Sequence, residues 1–595
     1  MPKKNVHVMC TAFRDGFQSV FGARVLTDDF LPAVEAARAA GLTHFEAGGG
    51  ARYQALYLYC REDAFTMMDR FRETAGADAN LQTLARGVNV VGLDSQSSDV
   101  INAHAVLFNK HGISTIRNFD ALNDVRNLVF SGKCITEAGL NHEVVVAMMA
   151  LPPGCQGAHT PEFYIDVLRS ILDADVPFTS ICFKDASGTT TPAVVYETIR
   201  RARALVGKDV HIQVHAHETA GISLMQYKAA LDGGANGIDL SLAPVSGGTA
   251  QVDAITAWHA LRGTDYDLGI DIDKTLEAEE IFKECMADYF IPPEARAVEP
   301  IIPFSPMPGG ALTANTQMMR DNNMLDRYPA VIAAMGEVVR RGGFGTSVTP
   351  VSQFYFQQAF NNVIFGPWKR MSEGYGKMVL GYFGKTPVEP DAELVKLASE
   401  QLNLEPTKRD PRLINDDDPS KGLDVARRLV AKEGLPTTDE NVFIAATCKD
   451  KGIAFLKGEG GWGVRKASKH KDAETPVSDN FQVKVGDKVY VVHMDGEQAT
   501  VNGKQYDFNV EAIDEKQAET AAKKGQTEVK SELPGNVLRV DVTRNDLVRE
   551  GEVLLVLEAL KMEMEVRATA GGRVAEVKVG VGDNIKAGDV LVVIG

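Results

Sequence analysis

Cysteine is sparse and carries no pattern. The seven residues Cys10, Cys60, Cys134, Cys155, Cys182, Cys285 and Cys448 include no Cys-x-x-Cys pair, which excludes a disulfide framework and a zinc knuckle and predicts a reducing, cytoplasmic setting. Positive charge is in deficit. With 63 Lys and Arg against 80 Asp and Glu the formal net charge is -17, so the basic balance that nucleic acid or an anionic membrane surface requires is lacking, and no nucleic-acid partner is expected. Long apolar runs are missing too. None reaches the roughly 18 residues of a membrane span, and the opening MPKKNVHVMC has two lysines with no apolar core behind them, so neither export nor anchoring is expected.

What is present, in a chain of 595 residues with room for about three domains, is alternation. From residue 1 to about 265, the runs NVHVMC, THFEAGG, NVVGL, STIRNFDA, HEVVVAMMAL, FTSICFKD, VHIQVHAH and GIDLSL read as strands. Helical stretches lie between several of them. Thr27 to Ala40 is one, with Thr27 as its cap, Asp28 and Asp29 in its first turn and Gly41 as its stop. Eight strands with helical crossovers predict an α/β fold, a (β/α)8 TIM barrel, in which chemistry sits at the C-terminal strand ends. The polar residues at those ends are Arg14, Asp15, Gln18, Arg86, Asp120, Lys184, His215 and His217.

Residues 266–470 change to long helical segments, such as DKTLEAEEIFKECMADYF, PVSQFYFQQAFNNVIF and DAELVKLASEQL, and predict a helical domain that completes the active site. Residues 471–531 then hold a small β segment and a linker. The stretch from Asp514 to Ser531 has few large apolar residues and no aromatics, and a flexible chain of that length spans about 20 to 25 Å.

Residues 532–595 contain an internal repeat. Laying Gly535 on Gly572 also matches Val537 with Val574, Val540 with Val577, Val542 with Val579, Asp546 with Asp583, Gly551 with Gly588, Val553 with Val590 and Val556 with Val593, without a gap. Two such half-sheets bury their alternating apolar faces as a flattened all-β barrel. Lys561, in EALKMEM, falls in the hairpin that joins the halves. A lysine in isolation reads as an exposed surface residue; one at the joining hairpin of a duplicated β module reads as an attachment point for a prosthetic group.

His215 and His217 lie two apart at the end of a strand, which puts both imidazoles on one face. Asp15 and Lys184 also fall at predicted strand tops. Mixed imidazole and carboxylate groups suit a divalent metal, Zn, Mn or Co.

The C-terminal segment resembles the biotinyl carrier domain, with Leu560 in place of the usual methionine before the lysine; lipoyl domains carry a different neighbourhood, commonly Asp-Lys-Ala. The earlier motifs CTAFRDGFQSVFGARVLTDD, FEAGGGARYQ, LARGVNVVG, IRNFDALND, ICFKDASGTTTP, HIQVHAHETAG, MPGGALT and SVTPVSQ occur in the order found in carboxyltransferase subunits of biotin-dependent 2-oxo acid enzymes. They resemble the oxaloacetate decarboxylase alpha subunit, the two-subunit pyruvate carboxylase and transcarboxylase. The resemblance implies biotin covalently attached to Lys561 and a carboxyl group passed to or from pyruvate or oxaloacetate. It also implies a divalent ion held by Asp15, His215, His217 and a carboxylated Lys184. Substrate would be bound by Arg14, Gln18 and Arg86, with Arg14 and Thr313 catalytic and Thr313 relaying a proton. The implied partners are biotin protein ligase and either a separate biotin carboxylase subunit or membrane decarboxylase subunits; the chain would be a homo-oligomer, cytoplasmic or, within a decarboxylase pump, peripheral on the inner membrane. Departures from the family pattern, at Cys10, Thr11 and Ala12, at Gly48 and Gln54 and at Leu93, cluster at predicted strand ends and leave the acid open, 2-oxoglutarate included. FRDG followed by HAH also fits a second class, a metal-dependent aldol-type lyase or acyl-CoA condensing enzyme. A third reading is a non-catalytic biotin carrier or scaffold.

Overall fold

Short apolar runs, each followed by a helix, close into a barrel in the structure, a computed structural model. It describes residues 3–466, 480–485, 488–495, 498–501, 504–507, 527–559 and 562–595. Eight parallel strands, β1 (His7–Cys10), β2 (His44–Gly49), β3 (Asn80–Ala85), β4 (Thr115–Asn118), β5 (Asn141–Ala147), β6 (Ser180–Asp185), β7 (His211–Ala216) and β8 (Gly237–Leu240), pair in sequence order, and β8 pairs back on β1. The run NVVGL, expected as the third strand, is instead a 3₁₀ turn, Gly87–Asn89, and a loop; the strand is the preceding NLQTLA. Its polar Gln82 hides it from an apolar pattern, because this barrel has a polar interior: Gln82, Arg117, Glu143, Gln213 and Asp239, from five strands, are all buried. Helix Thr27–Ala39 forms as expected, but Thr27 is not its cap: its backbone N–H donates to the Glu62 carboxylate at 3.0 Å, and Glu62 fills that role.

The turn after β1 sets the site. Ala12–Gly16 is a π-helical turn running straight into helix Phe17–Phe21. Phe13 and Phe17 anchor it among Phe30, Phe45, Phe71 and Phe282, with ring centroids 5.2 to 6.1 Å apart. Each buried phenyl contributes about 2 kcal/mol, so the intervening Arg14 and Asp15 are carried on a fixed frame. Phe282 comes from helix Ile272–Cys285 and Phe443, 5.8 Å from Tyr53, from helix Asp439–Leu456. The helical region thus shares the barrel's core, and Met1–Ala467 is one compact unit. No helix among the described residues is long and apolar enough to cross a membrane.

The second unit, Ser468–Gly595, holds a four-stranded antiparallel meander, β9 (Asn480–Val485), β10 (Lys488–Asp495), β11 (Gln498–Val501) and β12 (Lys504–Asp507). After it come β13 (Thr527–Lys530), β14 (Gly535–Val540), β15 (Leu547–Val548), β16 (Val553–Ala559), β17 (Met562–Arg567), β18 (Gly572–Val577), β19 (Asn584–Ile585) and β20 (Val590–Ile594). They form two sheets, β13-β20-β18-β15 and β17-β16-β14-β19, so each sheet takes strands from both repeat halves. The expected linker is corrected at its end. Thr527–Lys530 is a strand, with Val529 buried opposite Val592 on β20; residues 514–526 lie outside the described residues. Val529→Asp should therefore lower the carrier domain's stability by on the order of 3 kcal/mol, the cost of a buried unpaired charge. Calorimetry of the whole chain reads this as a downshifted carrier transition with that of the first unit unmoved.

Candidate active site at the C-terminal mouth of the barrel

Asp15, placed by the π-helical turn, points one oxygen into a ring of nitrogens. Around its Oδ2 lie Arg14 Nη2, His215 Nε2, His217 Nε2 and Gln251 Nε2, each at 3.3 Å, and Lys184 Nζ at 3.7 Å. Lys184 lies at the end of β6, His215 at the end of β7 and His217 just past it, so two strand tops converge on the atom that the turn after β1 supplies. Burial alone pushes the Asp15 carboxyl up; Arg14, His217 and Lys184 outweigh it and hold it well below the usual carboxylate range. Burial pushes the Lys184 amine down, and its Nζ has no hydrogen-bond partner.

The tautomers follow from the far side of each ring. His217 Nδ1 is 2.7 Å from the Thr249 carbonyl oxygen, which only accepts, so Nδ1 carries the proton. His215 Nδ1 is 2.7 Å from Asp239 Oδ2. Burial pushes the Asp239 carboxyl up, and Arg117 outweighs it and keeps Asp239 ionised, so again Nδ1 donates. In neutral rings both Nε2 lone pairs then face Asp15, and His215 Nε2 has no hydrogen-bond partner. Lone pairs converging from Asp15, His215 and His217, with ligand atoms within 4.8 Å of one another, fit a cation. Gly309 supports this geometry: a Cβ there would fall 1.7 Å from the Thr249 oxygen and 2.9 Å from His217 Nδ1, so no larger residue fits.

A narrow cavity of about 30 Å³ opens beside the cluster, lined by Arg14, Asp15, Gln18, Leu84, Arg86, Phe119, Lys184, Ala186, His217, Pro308, Gly310, Val348 and Thr349. The segment 308–349 supplies its roof. The two arginines differ. Arg14 pairs with the buried Glu46 and donates to Gln18 Oε1 at 3.0 Å. Among the described residues Arg86 has no carboxylate partner; its Nη1 donates to the Val91 and Gly92 carbonyls at 2.9 Å, and its Nε has no hydrogen-bond partner. Burial, then Arg14, lowers its pKa to about 9.

Six expected residues thus line one cavity, and His215 sits directly behind it. Asp120 does not join them. It accepts from the Leu122 and Asp124 backbone N–H groups and from Asn127 and fixes its own loop, while burial and Asp124 push its carboxyl up to about 7. Thr313 is buried one helical turn past Gly310, its hydroxyl donating to the Ser19 carbonyl. Gly48, Gln54 and Leu93 do not line the cavity; a Cβ on Gly48 would face Met67 and Met68. Lys561 lies outside the described residues, between β16 and β17, whose register pairs Ala559 with Met562. Sequence reasoning passed over Glu46 and Asp239, which alternation along β2 and β8 marks only as inward-facing, and Thr249 and Gln251, which lie in the loop after β8.

Three family models match: HMGL-like over 115–282, the conserved carboxylase domain over 302–502 and the biotin-requiring enzyme domain over 527–594. A pyruvate carboxylase subunit from Methanocaldococcus jannaschii is 28% identical over 94% of each chain. The 2-oxoglutarate carboxylase large subunit of Hydrogenobacter thermophilus is 28% identical over 94% of this chain and 90% of its own. Among solved structures, the carboxyl transferase domain of Rhizobium etli pyruvate carboxylase, determined with pyruvate and biocytin, has the same fold at a TM-score of 0.70 and 21% identity, over 85% of this chain and 89% of that one. The domain set and order make this chain a biotin-dependent carboxyltransferase. Along almost its whole length it is similar to single subunits of pyruvate carboxylase, that of Methanothermobacter thermautotrophicus among them at 28% identity.

If the Gly309 contact holds the Thr249 carbonyl against His217, Gly309→Ala should cost about 1 to 3 kcal/mol by overpacking. An unchanged unfolding midpoint of the first unit would show that helix Gly309–Asp321 does not press on that bond.

Proposed function

We propose that the chain transfers a carboxyl group between biotin on Lys561 and a small 2-oxo acid, with the monocarboxylate pyruvate as acceptor in the carboxylating direction and its dicarboxylate product, oxaloacetate, as donor in reverse. The observation that carries this reading is the meeting, in one cavity, of an uncompensated guanidinium with the convergent Asp15, His215, His217 and Lys184 cluster. Arg86 takes the acid's carboxylate, for which a planar fork is the natural partner. Arg14, neutralised by Glu46 and tied to Gln18, turns its remaining N–H groups to the carbonyl end and stabilises negative charge developing there. Leu84, Phe119, Ala186 and Val348 exclude water.

Asp15, His215 and His217 would hold a divalent ion, with Lys184 joining them after carboxylation of its amine. A bound ion supplies Lewis-acid polarisation of the carbonyl oxygen. The buried, unpartnered Lys184 Nζ supports this assignment. Biotin, when attached, supplies the carboxyl group from its ureido nitrogen. The proton removed from the acid's methyl group would pass through the Thr313 hydroxyl, which here donates to the Ser19 carbonyl, to the ureido nitrogen of biotin that gives up the carboxyl group. The division of labour is a barrel over 1–265, a helical region over 266–470 that roofs the site, and a carrier after it. Because no ATP-binding glycine-rich segment is visible in the sequence, loading of the biotin is assigned to a separate biotin carboxylase subunit.

The cavity favours a monocarboxylate over 2-oxoglutarate. Once Lys184 is carboxylated and Arg14 is paired with Glu46, Arg86 is the cation among the described lining residues left for substrate. Carboxyl exchange should proceed with pyruvate and be at least tenfold less efficient, in kcat/KM, with 2-oxoglutarate. Arg86→Gln should raise KM for pyruvate, and Lys561→Arg should abolish both streptavidin binding and transfer. Efficient exchange by Lys561→Arg, or equal use of the two acids, refutes the reading. Separately, Lys184→Ala should fold, as judged by its circular dichroism, but purify with less than a tenth of the wild-type metal; full metal content removes Lys184 from the ligand set.

A further inference from the structure

The barrel interior holds a charged network whose presence stability does not explain. Asp239 on β8 accepts at Oδ2 from His215 Nδ1, at 2.7 Å, and from Arg117 Nη1; at Oδ1 it accepts from Gln213 Nε2, at 2.8 Å, and from Arg117 Nη2, at 3.3 Å. Arg117 also pairs with Glu143, which accepts from Gln82 at 3.0 Å. All six are buried. Taking such groups out of water costs several kcal/mol per ion, and apolar replacements of similar volume are often neutral or stabilising, so a buried network of this kind is weak evidence for stability and calls for another role.

Its geometry supplies one. Every hydrogen-bonding direction of Asp239 is filled by a donor, and the carboxylate has no proton of its own to offer. His215 is therefore held with its proton on Nδ1 and its Nε2 lone pair turned toward Asp15 Oδ2, 3.3 Å away. Gln213 shows that the arrangement is directional. Its amide nitrogen is spent on Asp239, so its oxygen meets His211 Nε2 at 2.8 Å, and a flipped amide would set its oxygen against the Asp239 carboxylate. His217 reaches the same tautomer through a backbone carbonyl, whereas for His215 the task falls to a side chain that can be changed.

We propose that Asp239, clamped by Arg117 and Gln213, is the positioning residue that fixes the tautomer and ring orientation of His215 for metal binding. The proposal rests on the reading of His215 as a metal ligand. Outer partners of ligating histidines typically change metal affinity 10- to 100-fold when removed. Asp239→Asn keeps the shape and leaves Arg117 paired with Glu143, so it removes the negative charge and replaces one of the two acceptor oxygens by a donor without stranding the guanidinium.

The test is Co²⁺ titration of the metal-stripped full-length chain, followed by visible absorption, on wild type, Asp239→Asn and His215→Ala. Asp239→Asn should bind Co²⁺ about 10- to 100-fold more weakly with an altered d–d spectrum, and His215→Ala should lose the site. If His215→Ala loses the site while Asp239→Asn keeps wild-type affinity and spectrum, the positioning role is overturned and the ligand assignment stands. If His215→Ala binds as wild type, the ligand assignment itself fails. A measurement on unsubstituted, metal-stripped protein guards against a variant that does not fold: ¹⁵N-histidine NMR should show His215 protonated at Nδ1 near neutral pH, and an Nε2-protonated ring overturns the proposal.

Discussion

Five nitrogen atoms from four different segments close on a single carboxylate oxygen, Asp15 Oδ2, in a region from which solvent is excluded. An oxygen has lone-pair directions for about two donors, so these groups do not all serve it as donors; Arg14 is diverted to Glu46 and the two imidazoles turn lone pairs rather than protons inward. Much of the local architecture exists to hold that crowding. The phenyl cluster fixes the π-helical turn, the Thr11 hydroxyl donates to Gln251 at 2.6 Å and aims its amide, and Gly309 lets a helix press the Thr249 carbonyl onto His217. Relaxing any of these would scatter ligands that come from separate strands, because no pair of them except Arg14 and Asp15 is adjacent in sequence.

The same barrel is unusual in what fills it. An ordinary (β/α)8 interior stacks layers of branched apolar side chains, whereas here the layer beneath the site is Gln82, Arg117, Glu143, Gln213 and Asp239, ending at His44 and His211 at the N-terminal mouth. Apolar cohesion is displaced outward, to the shell between strands and helices where Val144, Val146, Ile181, Phe183, Ile212, Val214 and Ile238 lie. That division separates two demands. The shell supplies the folding energy, and the interior is free to impose proton positions on the residues above it.

The outward-facing pattern was legible in sequence and the inward-facing one largely was not. Seven of eight strands show as apolar runs because their shell-facing residues are Val, Ile and Phe. The eighth, NLQTLA, was passed over for the more β-branched NVVGL since Gln82 belongs to the polar interior. Asp15, Lys184, His215 and His217 stood out because polar residues at strand tops break an apolar run. Glu46 and Asp239 do the same lower down, but without a partner in view they read as interruptions. Arg86 was visible as a charge; that it has no counter-ion among the described residues is a fact of three dimensions. Thr27 looked like a cap by residue type, yet Glu62, 35 positions away, does the capping.

In the carrier domain the symmetry is legible in the sequence and extends to its first strand. The shift that lays Gly535 on Gly572 also lays Val529 on Val566, and so maps β13 onto β17. Each repeat half then contributes four strands, β13 to β16 and β17 to β20. The two sheets are related strand by strand: β13-β20-β18-β15 becomes β17-β16-β14-β19 when the halves are exchanged. In such a duplication the connection from β16 to β17 is the one turn that joins the halves, and it has no counterpart within either of them. A group attached there is unique even though the scaffold is doubled. That is why a repeat can present a single lysine without a competing second site.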